Sequence, residues 1–125
     1  MKFLDLFAGI GGFRLGLERA GCECVGYCEI DKYARQTYEA NFNTKEEVSW
    51  NDITKVTEHQ IQELPSVDII AGGFPCQAFS IAGKRGGFQE TRGTLFFEIA
   101  RIAKQIQPRY PLLENVNGLL SHDQG

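Results

Sequence analysis

One stretch holds the side chain best suited to covalent chemistry: Val67-Asp68-Ile69-Ile70-Ala71-Gly72-Gly73-Phe74-Pro75-Cys76-Gln77. Its apolar run, stopped by two glycines, reads as a buried parallel strand. Pro75 fixes the backbone just ahead of Cys76. A thiol at the carboxyl end of such a strand stands where open α/β sheets bind ligands, and it can be aimed at a substrate. The same stretch also suits an ordinary buried cysteine, since free Cys is among the most buried residue types. Cys22, Cys24 and Cys28 read as packing residues in and beside a strand. A zinc site would need paired Cys-x-x-Cys spacing or a nearby histidine, and His59 and His122 both sit in polar surroundings, so no metal is expected.

A second constellation is acidic. Ala8-Gly9-Ile10-Gly11-Gly12 is a tight turn that lets a helix N-terminus and bare backbone approach a ligand. A dinucleotide fingerprint needs G-x-G-x-x-G, and Arg14 stands where the third glycine belongs. Glu29, ending the next strand, can accept hydrogen bonds from ribose hydroxyls. Asp52, ending the third, can accept from an adenine amino group, and Ile30 and Ile53 can sandwich the adenine. This set suits a nucleoside without a pyrophosphate, of which S-adenosylmethionine is one. Helix caps on solvated strand ends account for Glu29 and Asp52 equally well.

The elements that must position these groups alternate. Lys2 to Phe7 reads as a strand, and the helix after the glycine turn puts Phe13, Leu17 and Ala20 on one face. Gly21 ends it. Cys24 to Glu29 is the second strand. Asp31 caps a helix with Ala34, Tyr38 and Phe42 on one face. A short strand near Trp50 and a weak helix over about Glu58 to Leu64 follow. After the Val67–Ala71 strand, Gln77 to Gly93 shows no apolar period and holds four glycines, which predicts a lid or binding loop. Leu95, Ile99, Ile102 and Ile106 predict a helix ended by Pro108, and Tyr110 to Glu114 a fifth strand. Alternation of this kind predicts an α/β fold with a parallel sheet covered by helices. The 125 residues suit one small domain, 42% hydrophobic and 23% charged. No apolar run reaches membrane-spanning length and none resembles a signal peptide, so a cytoplasmic protein with no membrane partner is expected. The net charge of −3 argues against a whole-chain nucleic-acid clamp, but Lys84, Arg85, Glu90 and Arg92 leave the segment after Cys76 at +2.

Three ordered blocks resemble the signature of DNA cytosine-5 methyltransferases, most closely the bacterial restriction–modification type: Phe3-Leu4-Asp5-Leu6-Phe7-Ala8-Gly9-Ile10-Gly11-Gly12-Phe13, Gly73-Phe74-Pro75-Cys76-Gln77, and Glu114-Asn115-Val116. Asn51-Asp52-Ile53-Thr54 and Arg92-Gly93-Thr94-Leu95-Phe96 resemble further blocks in the family's order. The resemblance implies a Rossmann-like three-layer S-adenosylmethionine domain. Phe7, Ala8, Gly9, Gly11 and Gly12 would line its methionine and ribose side, and Glu29 and Ile30 the ribose and adenine. Asp52 and Ile53 would hold the adenine edge and face, with Gly73, Pro75 and Leu95 completing the wall. It further implies that Cys76 adds to C6 of a cytosine flipped out of double-stranded DNA, so that C5 can take a methyl group. Glu114, protonated, would bind N3 and the exocyclic amine, which predicts that it is largely buried. Asn115 would position the Pro75–Cys76 turn. Gln77, Ser80, Lys84, Arg85 and Arg92 would belong to the substrate loop.

The family also carries an arginine block, a target-recognition region and a returning C-terminal segment, none of which follows Glu114-Asn115-Val116 here. The expectation is an incomplete, N-terminal part of the catalytic domain, which needs a missing C-terminal part or a second polypeptide and has little activity alone. Two other readings keep part of the pattern: a tRNA cytosine-5 methyltransferase, and a non-catalytic adenosine-binding module.

Overall fold

Phe3, Leu4, Asp5 and Leu6 are all buried, although they alternate between the two faces of their strand. That happens only when both faces of the sheet are covered. The structure, a computed structural model, describes the backbone of residues 1–73 and 85–114, with side chains for 1–73 and 95–114. In chain order the elements are β1 (Lys2–Leu6), α1 (Gly12–Arg19), β2 (Glu23–Cys28), α2 (Lys32–Asn41), β3 (Val48–Trp50), a 3-10 turn (Ile53–Lys55), α3 (Glu58–Gln62), β4 (Ile69–Gly73), α4 (Arg85–Ile106) and β5 (Tyr110–Glu114). The strands form one parallel sheet in the order β3-β2-β1-β4-β5. β1 lies at its centre, and the order reverses between β1 and β4.

One face packs Leu4, Leu6, Val25 and Ile70 against the 3-10 turn, α3 and α4, through Ile53, Ile61, Ile99 and Ile102. The other face carries Phe3, Cys24 and Ile69 under Leu17 of α1, and Ala8 and Tyr27 under Tyr38 of α2 and Phe42 just after it. The result is the expected three-layer α/β sandwich. The β1–β2 register steps from Phe3↔Cys24 to Leu4↔Gly26. The extra residue turns Cys24 and Tyr27, an odd number of residues apart, toward the same layer.

The observed elements depart from the expected ones at two places. β4 ends on Gly72 and Gly73 rather than before them, because Leu6↔Gly72 and Gly73↔Glu114 pairing extends the ladder. The expected loop over Gln77 to Gly93 is helical from Arg85 onward. A helix nucleated by the buried Ile99–Ile102 stripe propagates backward at little cost per residue, and the glycines do not stop it. Pro111 is accommodated because β5 is the sheet's outer strand among the described residues.

Candidate functional site

A cleft of about 580 Å³ crosses the carboxyl ends of all five strands, at the point where strand order reverses. β1 delivers Phe7, Ala8, Gly9 and Gly12; β2 delivers Cys28, Glu29 and Ile30. β3 adds Asn51, Asp52 and Ile53, while Gly73, Glu114 and Leu95 come from β4, β5 and α4. Ten of the twelve expected cofactor-side residues therefore share one wall, together with Glu114. Phe13, Asp31 and Ala34 also line it and had no sequence signal beyond their place in the helices.

The turn after β1 is built by backbone geometry. Phe7 has φ 51°, a left-handed value that a non-glycine residue holds only when its surroundings impose it. The Ala8 N–H donates to Cys28 O at 3.0 Å, and the Gly11 N–H closes the turn on Ala8 O at 3.0 Å. Glu29 then clasps the turn: Oε1 accepts from the Gly9 N–H at 2.7 Å and Oε2 from the Asp31 N–H at 2.8 Å. An ionised carboxylate has about four lone-pair positions, so roughly two remain for a ligand. Gly11 is not on the cleft wall. It is buried with φ 104°, and a Cβ there would overlap the Phe42 ring.

Asp52 caps the 3-10 turn, accepting from the Thr54 N–H at 3.0 Å and the Thr54 hydroxyl at 2.7 Å. Those Thr54 bonds hold its carboxyl below the usual range, so it faces the cleft as an anion. Asp52 thus performs the local capping that the sequence left open, Glu29 ties the glycine turn to the residue that caps α2, and both border the cleft. Ile53 is buried beneath it, whereas Ile30 stands 68% exposed at its mouth.

At the other end, a Cβ on Gly73 would lie 3.2 Å from Glu114 Oε2, so glycine makes room for that carboxylate. Glu114 is exposed, against the expectation of burial. The reason is topological: among the described residues β5 has a neighbour only on its β4 side, and all five of its residues are exposed. Pro75, Cys76, Gln77, Ser80, Lys84 and Asn115 lie outside the described residues. Arg85 and Arg92 lie in α4 rather than in a loop, and their side chains are outside the described ones. Cys24 and Cys28 are packing residues, as expected. Burial pushes both thiols up to about 12, which keeps them protonated.

What sequence reasoning missed is the charge under the cleft. Arg14 is 3% exposed and Asp5 fully buried. Arg14 figured only as a failed glycine position, and Asp5 only as part of a block. The pattern that could have flagged them is a charged residue at a strand position otherwise flanked by Leu, and the acid pair Glu46-Glu47 after α2.

The parallel α/β sheet carries a glycine turn and two acids at its switch point, where open sheets of this kind bind ligands. The family model for C-5 cytosine-specific DNA methylase matches residues 1–125, and the chain belongs to that family. It is 54% identical over 125 residues to type II methyltransferase M.HhaI of Haemophilus parahaemolyticus, covering 100% of this chain and 36% of that protein. To M.HpaII of Haemophilus parainfluenzae it is 53% identical over 124 residues, covering 98% of this chain and 33% of that protein. Among solved structures, a prophage-encoded protein described as a DNA modification methyltransferase (E. coli) superposes with a TM-score of 0.78 at 28% identity, over 100% of this chain and 34% of that one. The chain thus spans about a third of the length of the relatives it matches. Among the described residues no helix is long and apolar enough to cross a membrane.

Proposed function

We propose that this chain is the cofactor-binding and nucleophile-bearing part of an enzyme that methylates C5 of cytosine in double-stranded DNA in the bacterial cytoplasm. The observation that carries the reading is the cleft itself, which Glu29, Asp52 and Glu114 line from the ends of β2, β3 and β5. Its volume lies within the range of small-molecule sites. S-adenosylmethionine fits these residues: ribose hydroxyls on the free lone pairs of Glu29, the adenine edge at Asp52, its faces at Ile30 and Ile53. Phe7 to Gly12 would hold the amino-acid arm. When bound, the cofactor supplies the methyl group that C5 takes.

The chain's own residues prepare that carbon. Cys76 follows Gly73, a residue of the cleft wall, by three positions in the sequence. As a thiolate it bonds to C6, and the C5–C6 electron pair moves onto C5. Glu114, protonated, binds N3 and the exocyclic amine and supplies the proton that makes this addition favourable. Loss of the C5 proton to a base returns the pair, and the carbon–sulfur bond breaks. Asn115 holds the Pro75–Cys76 turn, and Gln77, Ser80, Lys84, Arg85 and Arg92 face the flipped nucleotide's strand.

Glu114 is exposed on β5, whereas holding a carboxyl neutral as a proton donor takes burial. Proton donation therefore needs cover over β5 from outside the described residues, which we assign to further sequence or to a second chain that also reads the DNA. The test is trapping on duplex DNA carrying 5-fluorocytosine, whose C5 has no proton to lose. With the covering polypeptide present, a denaturant-resistant adduct should form that requires S-adenosylmethionine and vanishes in Cys76→Ser. The chain alone should give little. Strong adduct formation by Cys76→Ser would overturn the proposal.

A further inference from the structure

Around the buried Arg14 side chain lies a polar cluster, part-buried at Glu18 and Glu47, that contributes no residue to the cleft wall. The Arg14 guanidinium forks onto Glu47, Nη1 donating to Oε1 at 2.7 Å and Nη2 to Oε2 at 2.6 Å. Its Nε donates to Glu18 Oε2 at 3.0 Å, Nη1 to the Tyr38 hydroxyl at 3.2 Å and Nη2 to Asn43 O at 3.3 Å. Tyr38, fully buried, donates in turn to Asp5 Oδ2 at 3.0 Å. The guanidinium carbon lies 4.7 Å from the centre of the Phe42 ring, the ring that a Cβ on Gly11 would overlap. Phe42 therefore touches both the glycine turn and the arginine.

The cluster ties together β1, α1, α2 and the connection to β3. Two of these, α1 and α2, begin at the cleft: Gly12 and Phe13 border it from α1, Asp31 and Ala34 from α2. We infer that Arg14 is a positioning residue for the cleft, fixing through Phe42 and Tyr38 the distance between the Gly9–Gly12 turn and the first turn of α2. A fork held on five acceptors resists sliding in a way that apolar packing does not, because each displacement breaks several directed bonds at once. Lysine keeps the charge but loses the fork.

The ligand readout rests on the S-adenosylmethionine reading of the cleft. S-adenosylhomocysteine spans both walls, whereas adenosine alone meets chiefly the Glu29 and Asp52 side. Arg14→Lys should weaken S-adenosylhomocysteine binding about tenfold while adenosine binding changes less than about twofold. Equal losses, or none, overturn the inference. If Arg14→Lys does not fold, Glu47→Gln should show the same split at roughly threefold. Hydrogen exchange without ligand gives a second readout. The Gly9 and Gly11 amides should exchange about tenfold faster in Arg14→Lys, with β2 and β4 core amides unchanged. Uniform acceleration, or unchanged turn amides, overturns it. Failure of the unsubstituted chain to bind either compound would sink the cofactor reading alone, since the exchange result still decides the role of Arg14.

Discussion

Asp5 is a carboxyl group in the middle of the central strand, fully buried, with Oδ1 lacking a hydrogen-bond partner among the described residues. Desolvation raises its pKa to about 7 and outweighs the Tyr38 hydrogen bond and the nearby Arg14 charge, which both lower it. The folded chain therefore holds a proton at Asp5 that the unfolded chain has released above its ordinary value near 4. Stability contributed by this group should fall as pH rises from about 4 to about 7, and stay low above that. The loss is on the order of a few kcal/mol. Urea midpoints measured from pH 5 to 8 should decline for the unsubstituted chain, and Asp5→Asn should flatten that slope. A slope unchanged by the substitution would assign the titration elsewhere. The same residue scale explains why two of the cysteines are silent. Cys24 and Cys28 carry thiols held protonated by burial, and that separates them from any cysteine asked to act as a nucleophile.

At the scale of elements, capping was legible and extent was not. Asp31 caps α2 as the sequence indicates, accepting from the Tyr33 N–H at 3.3 Å. The weak helix around Glu58 proved to be only five residues long and depends on a full capping box. The Thr57 hydroxyl accepts from the Gln60 N–H at 3.1 Å, and the Gln60 side chain accepts from the Thr57 N–H at 2.8 Å. So short a helix has almost no propagation to sustain it. Thr57→Ala should cost about 1 kcal/mol in chemical denaturation, a large share of what holds α3 against α4. No measurable loss would mean that Ile61 packing alone keeps the helix in place. α1 erred in another direction. The spacing placed Phe13, Leu17 and Ala20 inward, but Ala20 is exposed and Arg14 is the buried side chain of the helix. A periodicity built on apolar residues gives no weight to an arginine, even one whose partners satisfy its fork.

At the scale of the whole molecule, the two outer strands of the sheet differ in burial among the described residues. Trp50 on β3 is 5% exposed, whereas Tyr110, Leu112 and Leu113 on β5 are 53%, 42% and 37% exposed. An uncovered outer strand with apolar side chains templates association. The isolated chain should self-associate with rising concentration, and Leu112→Lys should suppress this in sedimentation or light scattering while leaving the unfolding midpoint within about 0.5 kcal/mol. Suppression absent in that variant would point to a different surface. The sequence by itself determined the parallel α/β class, the five strands, the glycine turn and the place of Glu29, Ile30, Asp52 and Ile53 on the cleft wall. Those features follow from local periodicity, turn chemistry and strand-end position, which neighbours along the chain encode, whereas Phe7, Gly73, Leu95 and Glu114 were expected there from the family resemblance. Only the tertiary structure decided that Gly11 serves Phe42 rather than the cleft, that Glu114 is exposed, and that Arg14 and Asp5 are buried together. Each of those depends on which elements meet across the sheet. Burial and desolvation are set by partners brought from 30 or more positions away, as Arg14–Glu47 and Asp5–Tyr38 are, and no local pattern records them.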